Sequence, residues 1–200
     1  MLNEFEIIPI NCVWIEPDEL IQRIRQLKEG AEAKKWVYAK VPLDLKRVYY
    51  PAPPKGGKHL PRYAVWQPEN MEFGSVLIPN YGDCLIQLMR HLNKTFKIRY
   101  FSAFLARNHQ STGYCTFTYA ETSGAKRIVQ VIQDPRWTFF QKGDVLPFEN
   151  IDYYKRRIIA ERLTPDIIEE YLNSLGWNLK AEAFWKSKGQ SWLAVQTAFN

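Results

Sequence analysis

Tyr114-Cys115-Thr116-Phe117-Thr118-Tyr119, Arg127-Ile128-Val129-Gln130-Val131-Ile132 and Trp137-Thr138-Phe139-Phe140 follow one another closely, and residues 98–104 supply a similar run just before them. All four are rich in the β-branched and aromatic residues that suit a pleated, half-buried surface. Between the second and third runs lies Glu121-Thr122-Ser123-Gly124-Ala125, a polar loop whose glycine can take a positive φ, which reads as a hairpin. Asp134-Pro135 closes the third run, because proline cannot donate to a ladder and restricts its predecessor, and Gly143-Asp144 closes the fourth. The spacing predicts an α+β fold: an antiparallel four-stranded meander with helices packed on one face.

Working outward, Asn80 and Asp83 mark the start of a helix whose Tyr81, Cys84, Leu85, Leu88, Met89 and Leu92 make one apolar face leading into the meander. Beyond the meander, Asn150 caps a predicted helix to about Leu163, with Ile151, Tyr154 and Ile158 inward. Thr164-Pro165-Asp166 opens another, with Ile167, Ile168, Tyr171, Leu172 and Leu175 on its buried side and Gly176 at its end. Towards the amino terminus, residues 4–15 alternate loosely as a strand, and Pro9 points to an edge position or a bulge there. A helix follows: Pro17, Asp18 and Glu19 suit its first turn, Leu20, Ile21, Ile24, Leu27 and Ala31 its buried stripe, and Gly30 its stop. Residues 36–41 and 63–67 read as further strands. The tail carries Phe184, Trp185, Trp192, Leu193, Val195 and Phe199, which would leave a large apolar patch in water unless it docks on the body.

A chain of 200 residues fits a single domain, 1–200, that buries roughly 70% of its unfolded surface without a staple. Cys12, Cys84 and Cys115 are odd in number and widely spaced, which argues against a disulfide framework or a zinc knuckle and for a reducing, cytoplasmic setting. The acidic first residues lack a basic leader, and no apolar run approaches the ~20 residues that cross a bilayer, so no membrane is expected. A net charge of +6 is compatible with an acidic protein or a nucleic acid as partner and demands neither.

Reactive groups are scattered. His59, His91 and His109 show no metal-ligand spacing, and Lys55-Gly56-Gly57-Lys58 lacks the strand-to-helix context and Gly-Lys-Ser/Thr ending of a phosphate loop. Ser102, Ser111 and Cys115 have no nucleophile elbow around them. Glu121, Asp134, Asp144, Glu149 and Asp152 flank the meander beside Lys126 and Arg127, the raw material of a metal-dependent nuclease, yet turns and caps explain such acids as well. No cofactor, metal site or catalytic residue is expected, and the protein reads as a non-enzyme.

The segment 34–62 is different, with eight basic residues against one acid, Asp44. Its centre, a basic Pro/Gly-rich loop at about 51–61, cannot be regular helix or central strand. Lys46, Arg47, Tyr49, Tyr50, Lys55, Lys58, His59 and Arg62 combine charge with rings that could anchor a protein or stack on bases, and are the expected partner-binding residues.

From residue 80 to 177 the order of helix, four strands and two helices resembles small immunity proteins of bacterial polymorphic toxin systems. The residues that carry the likeness are Trp137, then Gly143-Asp144-Val145-Leu146-Pro147-Phe148-Glu149, then Tyr154 with Arg157 and Arg162. The resemblance covers about half the chain and transfers no functional residue. It implies a cytoplasmic, non-catalytic toxin inhibitor that blocks its partner sterically; for a basic chain that partner is a toxin with an acidic surface. A nucleic-acid-binding module using segment 34–62 and a metal-dependent nuclease are the alternatives.

Overall fold

The computed structural model describes residues 7–28, 30, 35–49, 60–80, 84–106 and 112–197, with Tyr49 given in backbone only. Its strands are β1 (Ile7–Val13), β2 (Trp36–Val41), β3 (Arg62–Trp66), β4 (Ser75–Pro79), β5 (Tyr100–Ala106), β6 (Tyr114–Ala120), β7 (Lys126–Gln133), β8 (Trp137–Lys142) and β9 (Ser191–Gln196). The helices are α1 (Pro17–Leu27), α2 (Lys46–Tyr49), α3 (Ile86–Phe96), α4 (Ile151–Tyr154) and α5 (Pro165–Ser174), with short 3-10 turns at Ile159–Glu161 and Glu182–Trp185.

Mixed helix and antiparallel sheet is correct as a class, but four strands is an undercount. One nine-stranded sheet runs β2-β9-β3-β4-β1-β5-β6-β7-β8, and every pairing is antiparallel. The expectation of helices on one face also fails. Tyr63, Leu77 and Tyr100 pack with Leu20, Ile24, Met89 and Leu92 of α1 and α3 on one side. Trp66, Phe101, Phe117 and Val129 pack with Ile168, Tyr171 and Leu172 of α5 on the other. Strands buried on both faces lose the alternation that betrays a strand, which is why β4, buried at every residue, escaped notice.

β1 combines two situations. Asn11, Cys12 and Val13 sit between β4 and β5, whereas Ile7 to Ile10 pair with β5 alone. Pro9 therefore sits where its missing N–H breaks no ladder, a local edge within a strand that is central further on. The tail docks by entering the sheet: β9 lies between β2 and β3, and Phe184 and Trp185 are buried, Trp66 Nε1 donating to Phe184 O at 3.1 Å.

α1 begins with Pro17 and two acids, as expected, and buries Leu20, Ile21 and Ile24. α5 is equally regular; Thr164 Oγ1 accepts from Ile167 N at 3.3 Å, ahead of Pro165. Thr164→Ala is expected to cost about 1 kcal/mol in urea unfolding. α3 starts later than predicted, because Cys84 and Leu85 have φ of 56° and 51°, left-handed values that stop a helix from extending back to Asn80. Asn80 instead ties strands, its Oδ1 accepting from Arg62 N at 2.8 Å and its Nδ2 donating to Leu60 O at 3.1 Å. The helix expected from Asn150 to Leu163 is only the single turn α4 followed by a 3-10 turn. Tyr154 is buried, but Ile151 and Ile158 stand 46% and 55% exposed. Among the described residues no helix is long and apolar enough to cross a membrane.

The two helical layers are unequal. α1 and α3 cover the sheet from β9 to the start of β5, while the same side of β6, β7 and β8 carries no helix among the described residues.

Candidate functional site

The basic segment is seated by two apolar residues. Leu45 and Val48 are buried on the α5 side of the sheet, so the single turn α2 turns Lys46 and Arg47 to solvent. Asp44 Oδ1 accepts from Lys46 N at 3.0 Å, and Arg47 Nε lies 3.4 Å from Asp44 Oδ2. Arg62, at the start of β3, donates from Nη1 to Arg47 O at 3.3 Å. Lys46, Arg47 and Arg62 thus form one cationic patch from sequence-distant residues. Tyr49 contributes backbone to α2, while Tyr50, Lys55, Lys58 and His59 lie outside the described residues.

Segment 34–62 also includes β2, whose rings are committed to α1. Lys28 Nζ stands 3.1 Å from the Trp36 ring centroid, and the Arg25 guanidinium 4.6 Å from that of Tyr38 and 5.4 Å from that of Trp192. Asp18 closes this zipper by accepting from Lys40 Nζ and Trp192 Nε1, each at 2.7 Å. Cations on those rings compete with base stacking, so β2 is a weaker nucleic-acid platform than its composition suggests.

The acid most suggestive of chemistry is spent on structure. The Glu149 side chain is 0% exposed and that of Arg127 2%. Arg127 donates from Nε to Glu149 Oε1 at 2.9 Å, from Nη2 to Oε2 at 2.9 Å, from Nη1 to Gly143 O at 2.9 Å and from Nη2 to Gln141 Oε1 at 2.7 Å. The same carboxylate accepts from Leu146 N at 2.8 Å and Tyr154 OH at 2.6 Å. Burial, and then the bond to Glu149, push the Tyr154 phenol far above its ordinary range and keep it a donor. Gly143, Glu149 and Tyr154, three residues behind the resemblance, therefore meet around the buried Arg127–Glu149 pair; Arg162 donates elsewhere, to Arg156 O at 2.8 Å, and Arg157 is exposed. Glu121 accepts from Tyr119 OH, and Asp152 pairs with Lys155 at the surface. Among the described residues no three His, Cys, Asp or Glu side chains are grouped to hold a metal. The three cysteines are buried and unbridged, and burial raises the thiols of Cys12 and Cys115, the latter to about 12.

The side of β5–β8 beyond α3, which no helix among the described residues covers, forms a second surface. Register places Asn11, Ser102, Thr118, Ile128 and Lys142 in one cross-strand row, and Phe104, Thr116, Gln130 and Phe140 in the next. Ile86 and Arg90, one turn apart on α3, wall a groove of about 390 Å³ above these rows. Asn11 fastens the corner: its Nδ2 donates to Leu77 O at 3.2 Å and Cys84 O at 3.0 Å, and its Oδ1 accepts from Ser102 Oγ at 2.5 Å. Sequence reasoning passed over Arg90, Thr118, Gln130 and Lys142. The Thr–Gln alternation of β6 and β7 was visible, but it reads equally as an ordinary solvated sheet face. Comparison of the chain with protein-family models, with curated protein sequences and with solved structures finds no match.

Proposed function

We propose that this chain is a non-catalytic, cytoplasmic protein that binds another protein and covers its working surface, as an immunity protein covers its toxin. The observation that carries this reading is the α2 patch. Leu45 and Val48 hold the turn on the core while Lys46, Arg47 and Arg62 gather beside it with Asp44 as their acidic neighbour. Charge set on a rigid seat loses little side-chain and backbone freedom on docking and steers an acidic partner towards it. The commitment of Glu149 to Arg127 weighs against the nuclease alternative.

The test compares the native chain with a variant carrying Lys46→Glu, Arg47→Glu, Lys55→Glu and Lys58→Glu, both immobilised and challenged with extract of the source cells. A protein retained by the native chain, inhibited by it, and bound at least roughly tenfold more weakly by the variant is the expected result. Equal retention by both, or recovery of nucleic acid with an affinity that falls steeply with added salt, would overturn the reading.

A further inference from the structure

We propose that the groove between α3 and β5–β8 is a binding site for a small organic anion, best matched by a phosphate monoester on an apolar body. It lies on the opposite face of the sheet from the α2 patch and does not depend on the protein-binding reading.

The charge is one-sided. Arg90 and Lys142 line the groove, and among the described residues no aspartate or glutamate does. Arg90 is half-buried, and among the described residues neither cation has a carboxylate or carbonyl within bonding distance. A half-buried guanidinium beside an open groove can turn its planar fork to phosphate oxygens.

Thr118 lies on the floor of the groove and is only 6% exposed. Its neighbour Ser102 is satisfied by Asn11, and Thr116 Oγ1 donates to Val129 O at 3.1 Å. Thr118 and Lys142 stand two strands apart in one row, about 10 Å by ordinary strand spacing. An ammonium on a four-carbon stem and an interposed phosphoryl group close that gap.

Two cations match a dianion better than a single carboxylate. Ile86, Ile128 and Phe140, the last 49% exposed, offer apolar contact beside them. A volume of about 390 Å³ falls within the range of small-molecule sites.

The test titrates the full chain with phenyl phosphate, inorganic phosphate and benzyl alcohol at constant ionic strength, followed by calorimetry and amide chemical shifts. Phenyl phosphate is expected to bind saturably, at least roughly tenfold more tightly than either other probe, with shifts confined to β5–β8 and the start of α3. Arg90→Gln and Lys142→Gln should each weaken it about tenfold, and Thr118→Val several-fold, with unliganded melting temperatures unchanged, while Lys155→Gln should have no effect. No saturable binding, or equal loss in Lys155→Gln, would overturn the site. Equal affinity for inorganic phosphate would overturn the apolar body.

Discussion

Glu149→Gln is expected to destabilise the protein by about 3–5 kcal/mol, because the isosteric amide leaves the Arg127 guanidinium buried without its counter-charge. For a chain of this size that corresponds to a fall in melting temperature of about 10 °C. The amide also sets an N–H donor against the Tyr154 hydroxyl or the Leu146 N–H, both of which now donate to the carboxylate. A double variant, Arg127→Met with Glu149→Met, should recover part of the loss, since it removes both charges, but not all, since Leu146 N and Tyr154 OH lose their acceptor. Urea unfolding of the three proteins decides the matter. If Glu149→Gln unfolds like the native chain, the knot is not what holds β7 and β8 to the segment before α4. The carboxylate would then return as a candidate for chemistry.

That knot shows how far the chain could be read in advance. Gly143, Glu149 and Tyr154 drew attention as a pattern, and Arg127 as a base beside acids, yet nothing in their spacing says that they converge. Convergence depends on β7 and β8 pairing Ile128 with Lys142, a tertiary register. Local chemistry was legible wherever a residue acts on its own turn: Pro17 at the head of α1 and Thr164 at the head of α5. It failed where a long-range bond outbids a local one. Asn80 has the chemistry of a helix cap but serves Arg62 N and Leu60 O, and the left-handed Cys84 is held through its carbonyl by Asn11 of β1. Periodicity misled between residues 150 and 163, where helical spacing put Ile151 and Ile158 inside although the chain turns after Tyr154. The patch at Lys46, Arg47 and Arg62 was legible because charge density is a property of composition. The groove was not, since Arg90 belongs to a helix and Lys142 to the last residue of a strand, and only the folded sheet brings them together.

Gly143→Ala should be the costliest single methyl in the described structure. Gly143 has a φ of +87°, and a Cβ there would sit 2.1 Å from the Lys126 carbonyl oxygen and 3.0 Å from its carbonyl carbon. Those are backbone atoms of the neighbouring strand, so no side-chain rotation relieves the contact; β8 must pull away from β7. Gly124 and Gly176 share the left-handed conformation, each at +89°, but have open space where the methyl would go. Alanine at either is expected to cost about 1 kcal/mol from backbone strain alone, whereas at Gly143 the total should reach about 3 kcal/mol or more. The excess is the clash. Because Gly143 O also accepts from Arg127 Nη1, displacing it loosens the same buried knot. The losses in Gly143→Ala and Glu149→Gln should therefore combine to less than their sum in the double variant. Urea unfolding of the three alanine variants and the double variant measures each quantity. A Gly143→Ala cost no larger than that at Gly124 would mean that the close approach of β8 to Lys126 is not part of the native fold, and strict additivity would mean that the glycine and the ion pair act independently.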